Sequence, residues 1–193
     1  MEDLERSLGY RFHDRKYLRR ALTCQSAINE HHPQASNENS HTLEFLGDAV
    51  LKYIITILVY NDSSLVQGLH DKVCGYIGNR NLAHIGRELN LERHLITGRG
   101  VSCITDKMLA NAVEAILGAI VLDQQQQGKS PENVLSDVIA RLFSIRSTVR
   151  LTVARPPENN TRRCSCCSCL CCALLILFLG IILTFFLADH FEL

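Results

Sequence analysis

Two short stretches of the sequence place polar side chains at helical spacing inside otherwise apolar runs. In HTLEFLGDAVL, Glu44 and Asp48 are four residues apart, and residues at that spacing lie on the same side of an α-helix. In MLANAVEAILGAI, Asn111 and Glu114 are three residues apart and share a side in the same way. Carboxylate and amide oxygens that converge from two packed helices would suit a hard divalent cation, Mg²⁺ or Mn²⁺.

A single carboxylate on a helix has a simpler explanation. Taken alone, Glu44 or Glu114 is more often a solvated surface residue than a metal ligand, so spacing by itself leaves both interpretations open. Gly47 and Gly118 lie inside the same two segments. Because a glycine in a helix interior costs up to about 1 kcal/mol relative to alanine, these two residues predict a close approach of the two helices.

The elements that must hold these residues are helices. Apolar residues recur at helical spacing over Leu43–Leu58 and over Met108–Ile120. The polar stretch His31–His41 predicts a loop before the first helix, and Thr97–Ser102, which has two glycines, predicts a break before the second. The run Gln124–Gly128 predicts a loop or a frayed helix end. The fold class that follows is all-α.

Length and composition limit the class of protein. The chain has 193 residues, of which 47% are hydrophobic and 21% are charged, with 20 basic and 20 acidic side chains. These values are typical of a folded domain and exclude a disordered or strongly basic chain. The opening residues, MEDLERSLGYRFHDR, lack the apolar stretch of a secretory signal. We therefore expect the main domain, residues 1–150, to lie in the cytosol.

The C-terminal part of the chain has a different composition. Residues 151–168 form a linker with a cysteine-rich end, and residues 169–188 are 20 residues without charge or proline. Twenty helical residues span about 30 Å, the thickness of a bilayer core. We predict a transmembrane helix over 169–188 and a short tail over 189–193, and Arg162 and Arg163 orient the domain toward the cytosol. A buried C-terminal helix is the alternative.

Six of the nine cysteines lie between Cys164 and Cys172. Cysteines beside arginine at the cytosolic end of a membrane segment favour S-palmitoylation. Zinc or copper binding is the alternative interpretation, although no histidine accompanies the cluster and the CxxC…CxxC separation of a zinc ribbon is missing.

Four segments of the chain, in order, resemble the ribonuclease III family. They are LGYRFHDRKYLRRALT at residues 8–23, TLEFLGDAVL at Thr42–Leu51, NRNLAHIGRELNL at residues 79–91 and DKMLANAVEAILGAIVLD at Asp106–Asp123. The resemblance implies a ribonuclease III-type helical endonuclease domain, a hydrolase that cleaves double-stranded RNA in RNA processing or silencing. It also implies a Mg²⁺ or Mn²⁺ cofactor, and a homodimer or a pairing with another ribonuclease III domain.

The resemblance assigns roles residue by residue. Glu44, Asp48 and Glu114 fall on the family's metal-ligand positions. Asn111 falls on a fourth ligand position, where the family normally has Asp. We therefore take these four as candidate catalytic and metal-binding residues. Because Asn111 offers a neutral carbonyl oxygen in place of a carboxylate, we expect Mg²⁺ affinity to fall and Mn²⁺ to be favoured.

Further departures from the family pattern leave a second function open. His41 stands where the family often has Glu, Gln67 aligns with a further acidic position, and LTCQS at Leu22–Ser26 replaces the usual LTHRS. Such departures from the family pattern fit a slow enzyme. They equally fit a catalytically weakened ribonuclease III-like module that binds RNA or pairs with a partner nuclease.

RNA binding is expected to depend on the nuclease domain or on a partner, because residues 146–193 are too few for a double-stranded-RNA-binding domain. A-form RNA is recognised mostly by shape, phosphate and 2′-hydroxyl groups. Six basic side chains near the N-terminus could contact phosphate, and a solvated helix face explains them equally well: Arg6, Arg11, Arg15, Lys16, Arg19 and Arg20.

Overall fold

The computed structural model describes residues 1–60 and 65–145, which all belong to one unit, Met1–Leu151. These residues form eight α-helices and a 3-10 turn: α1 Glu2–Leu8, α2 Arg15–Ala21, α3 Gln25–Asn29, α4 His41–Val59, α5 Val66–Ile77, α6 Asn79–Glu88, the turn Leu91–Arg93, α7 Asp106–Gln126 and α8 Glu132–Leu142. Within the same residues no strand forms, and an isolated parallel bridge joins Thr23 to Ile96. The all-helical prediction is confirmed for this part of the chain.

Helix α7 lies at the centre of the core. It begins after Thr105, whose side chain accepts a hydrogen bond from the backbone N–H of Met108 at 3.3 Å, as an N-cap residue does. Most side chains from Leu109 to Gln124 are buried, because helices α2, α4 and α6 pack around α7. A helix that is apolar on nearly all sides needs such an enclosed position.

Helix α4 is apolar on two sides, and only one of them meets α7. Leu43, Leu51 and Ile54 are fully or almost fully buried. On the other side, the Phe45 side chain is 82% exposed and that of Tyr53 is 57% exposed. These two side chains therefore lie on a side of α4 that the core does not cover.

The predicted loop over His31–His41 and the break over Thr97–Ser102 are confirmed, since α4 begins at His41 and no helix covers Thr97–Ser102. Of the two interpretations of Gln124–Gly128, the helix end is confirmed and the loop is wrong in its first part, because α7 continues to Gln126. Gln124 is buried, and its amide donates a hydrogen bond to the Tyr10 hydroxyl at 2.9 Å. That partner keeps a polar residue inside the helix.

Within residues 1–60 and 65–145, none of the helices has the length and apolar character needed to cross a membrane. Several predicted features lie outside the described residues: the linker 151–168, the cysteine cluster Cys164–Cys172, the transmembrane helix 169–188 and the tail 189–193.

Candidate active site

The candidate site is built where helices α4 and α7 cross at close range. A Cβ atom added to Gly47 would overlap the backbone carbonyl of Glu114, and one added to Gly118 would overlap the carbonyl of Leu43. The two backbones therefore touch at positions where only glycine fits. The close approach predicted from these two glycines is confirmed, and it fixes α4 and α7 relative to each other.

This crossing brings three carboxylates into electrostatic range of one another. Glu44 and Asp48 flank Gly47 on α4, and Glu114 presents its backbone to that glycine from α7. Burial, the largest cause, and then the negative charges of Asp48 and Glu44 together raise the pKa of Glu114 to about 7. Like charges that face each other in this way are common at functional sites, and a bound cation would relieve their repulsion.

No side chain of the described residues neutralises this group. None of the ion pairs found there involves Glu44, Asp48 or Glu114. Glu44 and Glu114 are partly buried and Asp48 is exposed. The cost of an unpaired carboxylate therefore falls mainly on Glu44 and Glu114, and a cation bound nearby would reduce it.

Asn111 joins the group through a cavity of about 260 Å³. Glu44 and Asn111 both line this cavity, together with Cys24, Ser26 and His41. Asp48 and Glu114 do not line it. Glu114 is related to Glu44 and Asp48 through the effect of their negative charges on its pKa. Gln67 is exposed on α5, where its amide donates to Asp71 at 2.9 Å, and it is not part of this cavity wall.

The donor chemistry of the site fits a hard divalent cation, since it offers carboxylate oxygens and an amide oxygen. In this conformation, however, no three His, Cys, Asp or Glu side chains among the described residues are close enough together to hold a metal ion. Binding one would need side-chain rotation of Glu44, Asp48 or Glu114, while the helices that carry them stay in place. The four residues predicted from the sequence thus remain the candidate ligands.

Some residues of the cavity wall had no signal in the sequence. Ser40, Leu95 and Met108 line it beside Glu44 and Asn111. They come from the residue before α4, the segment after the 3-10 turn and the first turns of α7. Only the tertiary fold places these separate segments at one cavity.

The six basic residues near the N-terminus do not act as one free surface. Four of them form ion pairs with carboxylates: Arg6 with Asp3, Arg15 with Glu2 and Glu5, Lys16 with Asp14, and Arg20 with Glu38. Arg11 and Arg19 take no part in these pairs. Of the six residues that could contact phosphate, Arg11 and Arg19 are therefore the two that no carboxylate pairs with among the described residues.

Comparison with known proteins identifies the class of this domain. Residues 41–125 match the family described as the ribonuclease III domain. Ribonuclease 3 of Wigglesworthia glossinidia brevipalpis is 37% identical over 148 residues, which make up 74% of this chain and 62% of that protein. The chain spans less than two thirds of the length of the curated relatives that it matches.

Solved structures agree with the sequence comparison. The nuclease domain of ribonuclease III from Campylobacter jejuni has a TM-score of 0.63 and 27% identity, over 75% of this chain and 93% of that one. A second structure of that domain, described as flexible in the region involved in dimer formation, has a TM-score of 0.64 and 27% identity, over 74% and 95%. The fold is that of a ribonuclease III nuclease domain. Residues 41–125 are thus similar to the ribonuclease III domain family in sequence and in fold.

Proposed function

We propose that this chain is a metal-dependent endoribonuclease that hydrolyses phosphodiester bonds of double-stranded RNA, in RNA processing or silencing. The observation that carries the proposal is the group of three carboxylates at the α4–α7 crossing, which no cation of the described residues neutralises. Relatives named ribonuclease 3 and a nuclease-domain fold support the same class of reaction.

In this proposal Glu44, Asp48, Asn111 and Glu114 hold Mg²⁺ or Mn²⁺. A bound divalent metal supplies activation of the attacking water and stabilises the charge that builds on the leaving oxygen. The chain itself holds the oxygen ligands on two helices that are locked together by the glycine contact. Without a bound metal, the carboxyl group of Glu114 titrates near neutral pH, because its pKa is raised to about 7.

The alternative function is a catalytically weakened module that binds RNA or pairs with a partner nuclease. The specific observation in its favour is that Asn111, which brings no charge, lines the same cavity as Glu44. A neutral ligand weakens the hold on Mg²⁺ more than the hold on Mn²⁺, so metal dependence separates a slow enzyme from an inactive one.

The partner in assembly is a second copy of this chain or another ribonuclease III domain. The exposed side of α4, with Phe45 and Tyr53, supports this part of the proposal. Leu65 and Val66, at the start of α5, add side chains that are 82% and 85% exposed. Large apolar side chains left in water at these positions suit an interface with an apolar centre.

The apolar run 169–188 would attach the protein to a membrane, with the nuclease domain in the cytosol. This part of the proposal is based on composition alone. Full-length protein expressed in cells should resist extraction by alkaline carbonate, and a chain that ends at residue 168 should be released. Equal extraction of the two would reject the anchor without affecting the nuclease.

The test of the nuclease is cleavage of a long RNA duplex by the full chain, in Mg²⁺ and separately in Mn²⁺. We expect shorter duplexes with 5′ phosphates, with more product in Mn²⁺, and no product in EDTA. The Glu114→Gln variant should lose cleavage, and Asp137→Asn, which removes an exposed carboxylate on α8, should keep it. Absence of product in both metals would favour the weakened module.

A further inference from the structure

A second cavity, of about 370 Å³, lies where α2, the 3-10 turn and the loop before α4 meet. Its wall includes Arg19 from α2, and Arg93 and His94 from the end of the 3-10 turn. Pro33 and Gln34 contribute the side formed by the loop. None of the residues that line the cavity beside Glu44 and Asn111 also lines this second cavity.

Backbone hydrogen bonds hold the three walls in place. The N–H of Cys24 donates to the Ile96 carbonyl at 2.9 Å, and the N–H of Ile96 donates to the Leu22 carbonyl at 2.8 Å. Buried Thr23 fixes the loop, because its hydroxyl accepts from the Ser36 N–H at 3.1 Å. The cavity is therefore a preformed feature, and its basic side chains start from fixed backbone positions.

The cavity carries positive charge that no carboxylate of its own wall neutralises. No Asp or Glu lines it, and neither Arg19 nor Arg93 forms an ion pair within the described part of the chain. By contrast, the nearby Arg15 and Arg20 are each paired with a glutamate, Arg15 with Glu5 at 2.8 Å and Arg20 with a carboxylate of the loop at 2.6 Å.

His94 responds to the same surroundings. Burial lowers its pKa, and the positive Met1 amino group lowers it further. Asp3 has a smaller, opposite effect, and Arg93 adds the smallest lowering. An anion bound nearby would raise the pKa of His94 and so oppose the effect of those positive charges.

We propose that this cavity binds a phosphate group, held by the guanidinium groups of Arg19 and Arg93 with His94 beside them. Guanidinium groups donate paired N–H bonds that match phosphate oxygens. The phosphate belongs either to the backbone of bound RNA or to a free phosphorylated compound. Only the RNA source depends on the proposed nuclease function, since phosphate binding here needs neither metal nor cleavage.

The first experiment titrates the full chain with inorganic phosphate in EDTA, followed by calorimetry. The double variant Arg19→Gln, Arg93→Gln should bind phosphate about tenfold more weakly, as expected when charge-assisted hydrogen bonds are removed. The matched control Arg80→Gln, Lys129→Gln removes two exposed positive charges outside the cavity and should bind like the wild type. Circular dichroism shows that each variant is folded, and Arg19→Lys should keep part of the affinity.

The second experiment identifies the source of the phosphate. Binding of a fluorescent 20-base-pair RNA duplex is measured in EDTA over a range of salt concentrations. If RNA supplies the phosphate, the double variant binds more weakly than the control, and its salt dependence falls by about one to two phosphate contacts. Unchanged RNA binding with weakened phosphate binding assigns the cavity to a free phosphorylated compound. Equal phosphate affinity in the double variant and the wild type overturns the proposal.

Discussion

Two carboxylates on helix α7, Glu114 and Asp123, differ in what surrounds them. Asp123 is fully buried and accepts hydrogen bonds from the Tyr10 hydroxyl, from the His13 N–H at 3.0 Å and from the Asp14 N–H at 2.9 Å. These donors tie the segment between α1 and α2 to the end of α7. A carboxylate with so many donors stabilises the fold.

Glu114 lies nine positions earlier on the same helix and is only partly buried. It has no donor among the described residues, and its neighbours are two other carboxylates, Asp48 and Glu44, whose charges add to burial in raising its pKa to about 7. The difference teaches that donors, more than burial, separate a structural carboxylate from one that is available for chemistry. Four predictions test this contrast.

The largest expected effect is on stability at Asp123. Asp123→Ala leaves the Tyr10 hydroxyl and two N–H groups without an acceptor, and should lower the free energy of unfolding by about 3 kcal/mol. In EDTA, Glu114→Gln should leave the free energy of unfolding unchanged or raise it, because the variant removes a repulsive charge. Urea denaturation followed by circular dichroism measures both. An equal loss of unfolding free energy in the two variants would contradict the proposed difference between Asp123 and Glu114.

The next effect concerns the glycine contact beside Glu114. Gly47→Ala places a methyl group against the Glu114 backbone, and overpacking of this kind costs about 1–3 kcal/mol. Gly75→Ala is the matched control, since nothing lies within 4 Å of its added Cβ in helix α5. It should gain up to about 1 kcal/mol from helix propensity. A neutral result at Gly47 would show that α4 and α7 do not touch there.

A smaller effect is the pH dependence contributed by Glu114. Its folded-state pKa of about 7 exceeds the ordinary value of 4.5, so the folded protein binds more protons than the unfolded chain between these two pH values. Its contribution to stability without metal therefore falls as pH rises from about 4.5 to about 7, by about 1 kcal/mol after allowance for solvent screening. Denaturation of wild type and Glu114→Gln across this range isolates the contribution. Parallel curves would contradict it.

The smallest effect on stability is expected at Asn111, where the change in metal dependence is the informative result. Asn111→Asp adds a fourth carboxylate, so it should cost a few tenths of a kcal/mol in EDTA and lower the Mg²⁺ concentration needed for cleavage. Asn111→Ala should raise that concentration. Cleavage rates at limiting Mg²⁺ should rank Asp above Asn above Ala. Three equal rates would place Asn111 outside the metal site.

Features written into local sequence were predictable, and features created by distant contacts were not. The helices around Glu44 and Glu114 follow from apolar spacing, and their close approach follows from Gly47 and Gly118. The run Gln124–Gly128 stayed open between a loop and a helix end, because the contact of Gln124 with Tyr10, 114 positions away in the chain, is not visible in local sequence. The ion pairs of Arg15 and Arg20 were missed for the same reason, since their glutamate partners lie on other elements of the fold.

The central claim is that the carboxylates at the α4–α7 crossing bind a divalent cation. Titration of the full chain with Mn²⁺, followed by electron paramagnetic resonance, tests it without RNA or turnover. The account predicts that the wild type and the exposed-carboxylate control Asp137→Asn bind Mn²⁺ alike, while Glu114→Gln and Glu44→Gln each lose most of the affinity. Equal Mn²⁺ affinity in the wild type and Glu114→Gln would contradict the account.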